Sequence, residues 1–407
     1  MRKFLFQDFT NRKMKIGIFY PHPLHGSLGS IRRVKEIAKR LKDFFEAEII
    51  LYSPYESTTI SLDGLIVKPI LKLYYLSELA YMLSQKIYYG KFLSKFFLTK
   101  ILIGLNPGFV EKFIKILRKD QISVLQVEHD FSVPLCVKVG KRLKIPVIAD
   151  IHNITPEELV STGIIKKDDE TYQELQKILN NFLNELDMVC VVSEYMAEYV
   201  KRNFSSVDKN KIVVVSHGAS LKSSTCLEEA SKKVVFSGTV TCREHVDLLV
   251  KSIPYISKSI FNVEFYITRK GNEIKKVKKL AKKLNVKINW FWFSSERKFF
   301  EFLSSASIGI LTSKNDEARR LGTPIKLFDY MSVGLPIIAN DIGGWSKIVE
   351  EENVGILAKD NPQNFASAIK MLLENENLRT NMSQNALKAV KEKYDWNKTI
   401  KTLIKGL

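Results

Sequence analysis

Short apolar runs alternate with longer amphipathic stretches along most of this chain, and that alternation limits the folds open to it. Lys15–Tyr20 reads as a strand, Pro21–Gly29 as a loop and Ser30–Lys42 as a helix. Ser30 is placed to cap that helix, and Ile31, Val34, Ile37, Ala38 and Leu41 share one face. Further strands are expected at Ala47–Tyr52, Ile122–Val127, Pro146–Ile151, Met188–Val192 and Lys211–Val215. After a polar stretch the pattern resumes at Lys233–Phe236, Val263–Ile267, Val286–Trp292, Ile308–Leu311 and Pro336–Ala339. Strands apolar throughout and divided by helices belong to parallel sheets covered on both faces. The run Gly218–Thr225 has linker composition. The expected fold class is therefore α/β, with two doubly wound Rossmann-like domains facing across a cleft. The expected divisions are an extension at 1–13, a first domain at 14–217, a linker at 218–232, a second domain at 233–385 and a C-terminal helix at 386–407 packing back toward the first.

Composition excludes other classes. Hydrophobic residues are 45% and charged residues 26% of 407, which rules out a disordered chain, a collagen-like fibre and a disulfide scaffold. The balance of 63 − 44 = +19 favours an anionic partner: nucleic acid, an acidic membrane or a phosphorylated substrate. Cys136, Cys190, Cys226 and Cys242 are scattered, without the spacing of a zinc knuckle or redox pair, which fits a reducing, cytoplasmic setting. Met1–Lys13 is basic but lacks an apolar core, so it does not read as a signal peptide, and Met14 is an alternative start. No apolar run reaches the ~18–20 residues of a membrane span.

Small and polar residues gather where strands end: Gly26-Ser27-Leu28-Gly29, His152-Asn153, Ser193, His217-Gly218, Ser237-Gly238, Arg269-Lys270-Gly271, Ser313 and Gly343-Gly344. Ligands of open α/β sheets bind at that edge, although Gly and Ser also simply terminate strands. Leu71–Leu105, rich in Tyr, Phe, Leu and Lys, reads as an interfacial helix pair on anionic lipid or as helices packed on the sheet with lysines outward. Asn272–Asn285, with six lysines, reads as a solvated helix or, with less support, a nucleic-acid patch, and Trp290–Phe293 as a buried strand edge.

The densest signal is Gly322–Ala339. Pro324 fits a first helical turn. Lys326 and Asp329, three apart, share one face, and Gly334 ends the helix before the strand from Pro336. A lysine and free backbone N–H groups suit a diphosphate, and a carboxylate suits a ribose diol; a surface ion pair is the plain alternative.

This stretch resembles the donor-site helix of the group 1, family 4 retaining glycosyltransferases, which have the GT-B fold. Val354-Gly355-Ile356, Asp360–Leu373 and Tyr394-Asp395-Trp396 resemble the elements that follow it. Phe236-Ser237-Gly238-Thr239 resembles the opening of the family's donor domain, and Pro146–Asn153 a segment of the first half. The family has two glutamates eight positions apart around the helix; here Leu321 takes the first place and Asp329 the second, with Asp316 or Glu317 as substitutes. The family's Arg and Lys on the opening loop fall on Thr239 and Glu244, with Arg243 the nearest cation.

The resemblance implies transfer of a sugar from a UDP- or GDP-linked donor to a hydroxyl, with retention, without cofactor or metal. It places the donor on Gly238, Thr239, Arg243, Thr323, Lys326, Asp329, Gly343 and Gly344. His152, with Asp150 to orient it, is expected at the transferring sugar, and Gly26, Ser27, Gly29 and Asn153 on the acceptor side. His22 and His25 lie in the same loop as the glycines, without an identifiable third metal ligand. Charge and the Leu71–Leu105 segment favour a lipid-linked oligosaccharide, glycolipid or polysaccharide precursor, met peripherally at an anionic membrane. Competing readings are a catalytically silent scaffold, a nucleotide-sugar epimerase and a nucleic-acid binder; no nucleic-acid partner is expected.

Overall fold

The computed structural model describes residues 14–22, 24, 28–70, 106–222, 232–257, 259–293 and 295–406. Gly26, Ser27, His25 and the segment Leu71–Leu105 lie outside them. The chain divides into two compact units, Met1–Ser216 with Thr399–Leu407, and His217–Lys398.

The first unit is built on β1 (Lys15–Phe19), β2 (Glu48–Ser53), β3 (Ile60–Leu62), β4 (Leu65–Pro69), β5 (Val124–Glu128), β6 (Val147–Ile151), β7 (Met188–Val191) and β8 (Ile212–Val214). They form one sheet in the order β3-β4-β2-β1-β5-β6-β7-β8. Every neighbouring pair is parallel except β3 and β4. Those two make a hairpin that the apolar pattern did not announce. Its turn is Asp63-Gly64, both at positive φ, the geometry that suits a two-residue hairpin loop. Ile18, Leu51, Leu125, Ala149 and Val189 are fully buried on adjacent strands. The helix after β1 runs Leu28–Phe45, two residues earlier than its pattern implied, so Gly29 belongs to its first turn and not to the loop.

The second unit has β9 (Lys233–Phe236), β10 (Glu264–Thr268), β11 (Asn289–Phe291), β12 (Ile308–Leu311), β13 (Ile337–Asn340) and β14 (Gly355–Ala358). Their order is β11-β10-β9-β12-β13-β14, and all are parallel. Val234 of β9 packs with helices Val246–Ser257 and Pro362–Glu374, whereas Val235 packs with Phe328, Tyr330 and Trp345 on the other face. Burial on both faces is why these strands are apolar throughout.

Pro324 does not enter the helix: it is the N-cap, extended at φ −72°, ψ 135°, and the helix runs Ile325–Ser332. Beyond it the chain turns through Gly334 at φ 67°, where a Cβ would stand 2.6 Å from Ser383 Oγ. Only glycine fits that turn without strain.

Candidate functional site

In a sheet ordered 3-2-1-4-5-6 the strand direction of travel reverses beside the first strand, and ligands bind outside the carboxyl ends there. In the second unit this point lies between β9 and β12. Their loops are sewn together. Thr312 Oγ1 donates to the Glu244 carbonyl (2.7 Å), and Lys314 N and Ser313 Oγ donate to the Arg243 carbonyl (2.8 and 3.1 Å). Asn340, fully buried at the end of β13, brackets Ser313, accepting from its N–H at 3.0 Å and donating to its carbonyl at 2.6 Å. Beneath them the Tyr330 hydroxyl accepts from Ser237 N–H (3.0 Å) and donates toward the Ile310 carbonyl (3.1 Å). It anchors helix Ile325–Ser332 under the switch point.

A charged triad stands on this frame. Lys326 Nζ pairs with the Glu244 carboxylate and lies 4.4 Å from the centre of the Phe236 ring. Arg319 Nη2 is 3.7 Å from the same carboxylate. Side-chain exposures are only 10% for Lys326, 13% for Glu244 and 17% for Arg319. Burial works against the Glu244 anion, but Lys326 and Arg319 outweigh it and hold its pKa below the ordinary value. Burial is also the main influence on Lys326 and lowers its pKa despite Glu244. At Gly238 a Cβ would sit 2.4 Å from Lys326 Nζ, so glycine leaves room for the ammonium. Gly343, at φ 58°, lies against the backbone of Arg320, and Gly344 begins the next helix, Gly344–Glu351. Thr323 is buried, and its Oγ1, like that of Thr241, has no hydrogen-bond partner among the described residues.

Several expectations change here. Lys326 is already ion-paired with Glu244, a residue read only as a lost cation. Arg319 on helix Glu317–Leu321 supplies a further cation, and Arg243, named from the sequence, also favours the Glu244 anion. Asp316 caps that helix, accepting from Arg319 N–H at 3.1 Å, so its carboxylate is already engaged there. Leu321 is buried, Thr239 exposed and Asp329 9% exposed.

The first unit reverses between β1 and β5, and its polar cluster stands at that switch point. Arg33, wholly buried, donates from Nε and Nη2 to both oxygens of Asp150 (2.9 Å each) and to the carbonyls of Val215 and Ser216. His152 Nε2 is 3.2 Å from Asp150 Oδ2 and 3.2 Å from Glu128 Oε2. Donor atoms of Glu128, Asp150 and His152 lie within 4.8 Å of one another, the reach of a metal ion. The cation already seated among them is the Arg33 guanidinium, which engages both Asp150 oxygens. Burial and the neighbouring Asp150 push Glu128 well above the usual carboxylate range, and Gln126 donates to it at 2.6 Å. Burial works against the Asp150 anion, but Arg33 and His152 hold its pKa far below the ordinary value.

His129 follows at φ 70°, ψ 143°, outside the left-handed helical well and strained for any residue but glycine. Its Nδ1 is 2.9 Å from Asn153 Oδ1, and its ring meets His22 at 4.3 Å and His152 at 5.0 Å between centroids. Burial and the two neighbouring imidazoles lower its pKa well below normal, so it is neutral near pH 7. Sequence reasoning passed over Arg33, Glu128 and His129. The available signal was Glu128-His129-Asp130, three ionisable residues directly after an apolar strand.

Two doubly wound sheets in one chain, each with charged groups at its switch point, define the GT-B class of glycosyltransferase. Known proteins agree. The family model for glycosyl transferases group 1 matches residues 220–389, and that for glycosyltransferase family 4 matches 76–223. An uncharacterized glycosyltransferase of Methanocaldococcus jannaschii is 24% identical, over 94% of this chain and 94% of its own. Among solved structures, sucrose-phosphate synthase from Thermosynechococcus elongatus superposes with a TM-score of 0.74 at 15% identity, covering 96% of this chain and 97% of that one. Anabaena HepE, in complex with UDP and glucose, superposes with a TM-score of 0.69 at 12% identity, covering 96% and 98%. The chain belongs to the group 1, family 4 glycosyltransferases.

Proposed function

We propose that this glycosyltransferase moves a hexose from a UDP- or GDP-linked donor to a hydroxyl acceptor, with retention of anomeric configuration. The observation that carries the reading is the cationic, glycine-lined switch point of the second unit, where Lys326 and Arg319 gather at one sheet edge beside Gly238. A departing nucleoside diphosphate develops charge, and fixed ammonium, guanidinium and N–H groups stabilise it most in a water-poor site. The C1–O bond to the diphosphate breaks, the C1–O bond to the acceptor forms on the same face, and the acceptor proton passes to the departing phosphate oxygen. No protein nucleophile and no metal enter the step. Asp329 takes the ribose or sugar hydroxyls, and Gly343-Gly344 bring backbone to the donor.

The acceptor belongs to the first unit, where His129, His152 and Asn153 supply hydrogen bonds for sugar hydroxyls. We assign it as a lipid-linked oligosaccharide, glycolipid or polysaccharide precursor, reached from the cytoplasm at an anionic membrane face. Among the described residues no helix is long and apolar enough to cross a membrane. Bound UDP in Anabaena HepE supports the donor class.

The test is a nucleotide-sugar panel read by mass spectrometry, with a lipid extract as acceptor and EDTA in a parallel arm. A new glycoside is expected in both arms. Lys326→Ala and Asp329→Ala should each lower transfer by about a hundredfold while the fold persists. Undiminished turnover in both variants would overturn the site, and loss in EDTA restored by Mg²⁺ would overturn the metal-free step. Absence of any nucleotide binding at millimolar concentration would favour the scaffold reading, to which buried Leu321 lends its weight.

A further inference from the structure

We infer that the Glu244 carboxylate is a built-in stand-in for the donor's phosphate, seated on Lys326 and Arg319 while the site is empty and displaced when a diphosphate binds. The inference rests on the donor-site reading above.

The arrangement contains one anion between two cations, all three largely withdrawn from water. A nucleoside diphosphate carries at least two negative charges. With Glu244 in place, Lys326 and Arg319 are already paired, and an arriving phosphate meets a carboxylate in a poorly solvated space, where like charges repel strongly. With Glu244 swung aside, both cations face the phosphate. The backbone permits this without unravelling the loop. Glu244 is fastened through its own N–H to the Thr241 carbonyl (3.2 Å) and through its carbonyl to Thr312 Oγ1 (2.7 Å), neither of which involves the carboxylate. Lys326 has a fixed seat independent of Glu244, between the Phe236 ring and the space left by Gly238. Arg319 is likewise held, donating from Nε to Ser313 Oγ at 3.0 Å. The cations therefore stay when the carboxylate leaves. Two buried hydroxyls near these residues in sequence, Thr241 and Thr323, have no hydrogen-bond partner among the described residues, and the resident carboxylate does not satisfy them.

Displacement has a kinetic consequence. After transfer the returning carboxylate competes with the product diphosphate and hastens its release, a step that often limits turnover.

The alternative is that Glu244 only positions Lys326, and the two roles predict opposite signs. Isothermal titration calorimetry with UDP, GDP, ADP and inorganic pyrophosphate, at one fixed salt concentration, separates them. Glu244→Gln should bind whichever of these the wild type binds about tenfold more tightly, the weight of one charge-assisted contact. Glu244→Asp, whose shorter arm reaches Lys326 less well, should shift affinity the same way by a smaller factor and carries the decision if the Gln variant fails to fold. Product inhibition by the diphosphate should strengthen in step. Unchanged or weaker binding in both folded variants, with wild-type binding intact, would overturn the displacement alone. If neither wild type nor variants bind any of the four probes, the donor-site reading falls and takes this inference with it.

Discussion

Arg33 donates to Asp150 and to the carbonyls of Val215 and Ser216 with no solvent exposure, and its charge favours the Asp150 anion beside it. Asp150 stays ionised beside it. Glu128, without so direct a partner, holds its proton well above the ordinary carboxylate range because burial and Asp150 both oppose its charge. The pH consequence follows from where each proton is released. An unfolded chain gives up a glutamate proton near ~4.3. The folded chain retains it, so stability declines as pH rises from that value toward the folded one. Asp150, depressed in the fold, contributes its stability above ~3.9 and so adds no slope over the same range. Glu128→Gln keeps the shape and the Gln126 contact but removes the titration. Urea unfolding near pH 5 and near pH 8 should show the wild type losing, relative to the variant, about 1.4 kcal/mol for each pH unit over which the proton is retained, since the slopes from buried His129 and Asp130 are common to both. A parallel decline in both proteins would refute the assignment. His152 and Asp150 were legible because they close an apolar strand. Arg33 was not, because one arginine on an amphipathic helix looks the same whether it faces water or a buried carboxylate.

At the scale of elements, helix Ile325–Ser332 carries Lys326 and Asp329 of the proposed donor site, and Tyr330 positions the helix. The Tyr330 hydroxyl meets Ser237 N–H and Oγ at 3.0 Å and the carbonyls of Ile310 and Val235 at 3.1 and 3.3 Å. Gly309 leaves space for the ring, since a Cβ there would stand 2.7 Å from it. Tyr330→Phe keeps the packing and orphans those buried groups, which should lower stability by about 1–3 kcal/mol. It should also weaken nucleoside diphosphate binding, because helix and loop are no longer tied. Chemical denaturation and calorimetry check the two effects, and a variant as stable as the wild type would show that the hydroxyl is idle. Strands divided by helices were readable for a physical reason: a strand covered on both faces must be apolar along its length. The hairpin β3–β4 escaped because its short, half-exposed strands carry no such run, although Asp63-Gly64 marked its turn. Helix Glu317–Leu321 escaped because five residues, mostly charged, show no periodicity, and Arg319 escaped with it.

For the whole molecule, the excess of +19 was legible from composition, whereas the surface it acts through was not. On helix Ile274–Lys283 the six lysines are exposed while Val277 and Ala281 are buried in the unit's core. In the proposed membrane contact, attraction of that face would be purely electrostatic, about 1 kcal/mol per lysine near an anionic surface, and would fade as salt shortens the screening length to about 8 Å at physiological strength. Leu71–Leu105 would differ in kind on the interfacial reading of its sequence, since Tyr, Phe and Leu accompany its lysines and apolar surface buried in an interface does not respond to salt in that way. Salt therefore separates the two contributions. Sedimentation with phosphatidylglycerol vesicles should carry the protein into the pellet at low salt, and neutral phosphatidylcholine vesicles should leave it in the supernatant. Raising salt should release part of the bound protein and leave a remainder held by Leu71–Leu105. Reversing Lys278, Lys279 and Lys282 to Glu should remove the salt-sensitive part alone. Equal recovery in the supernatant with both lipids would remove the membrane from the proposed function and leave a soluble acceptor in its place.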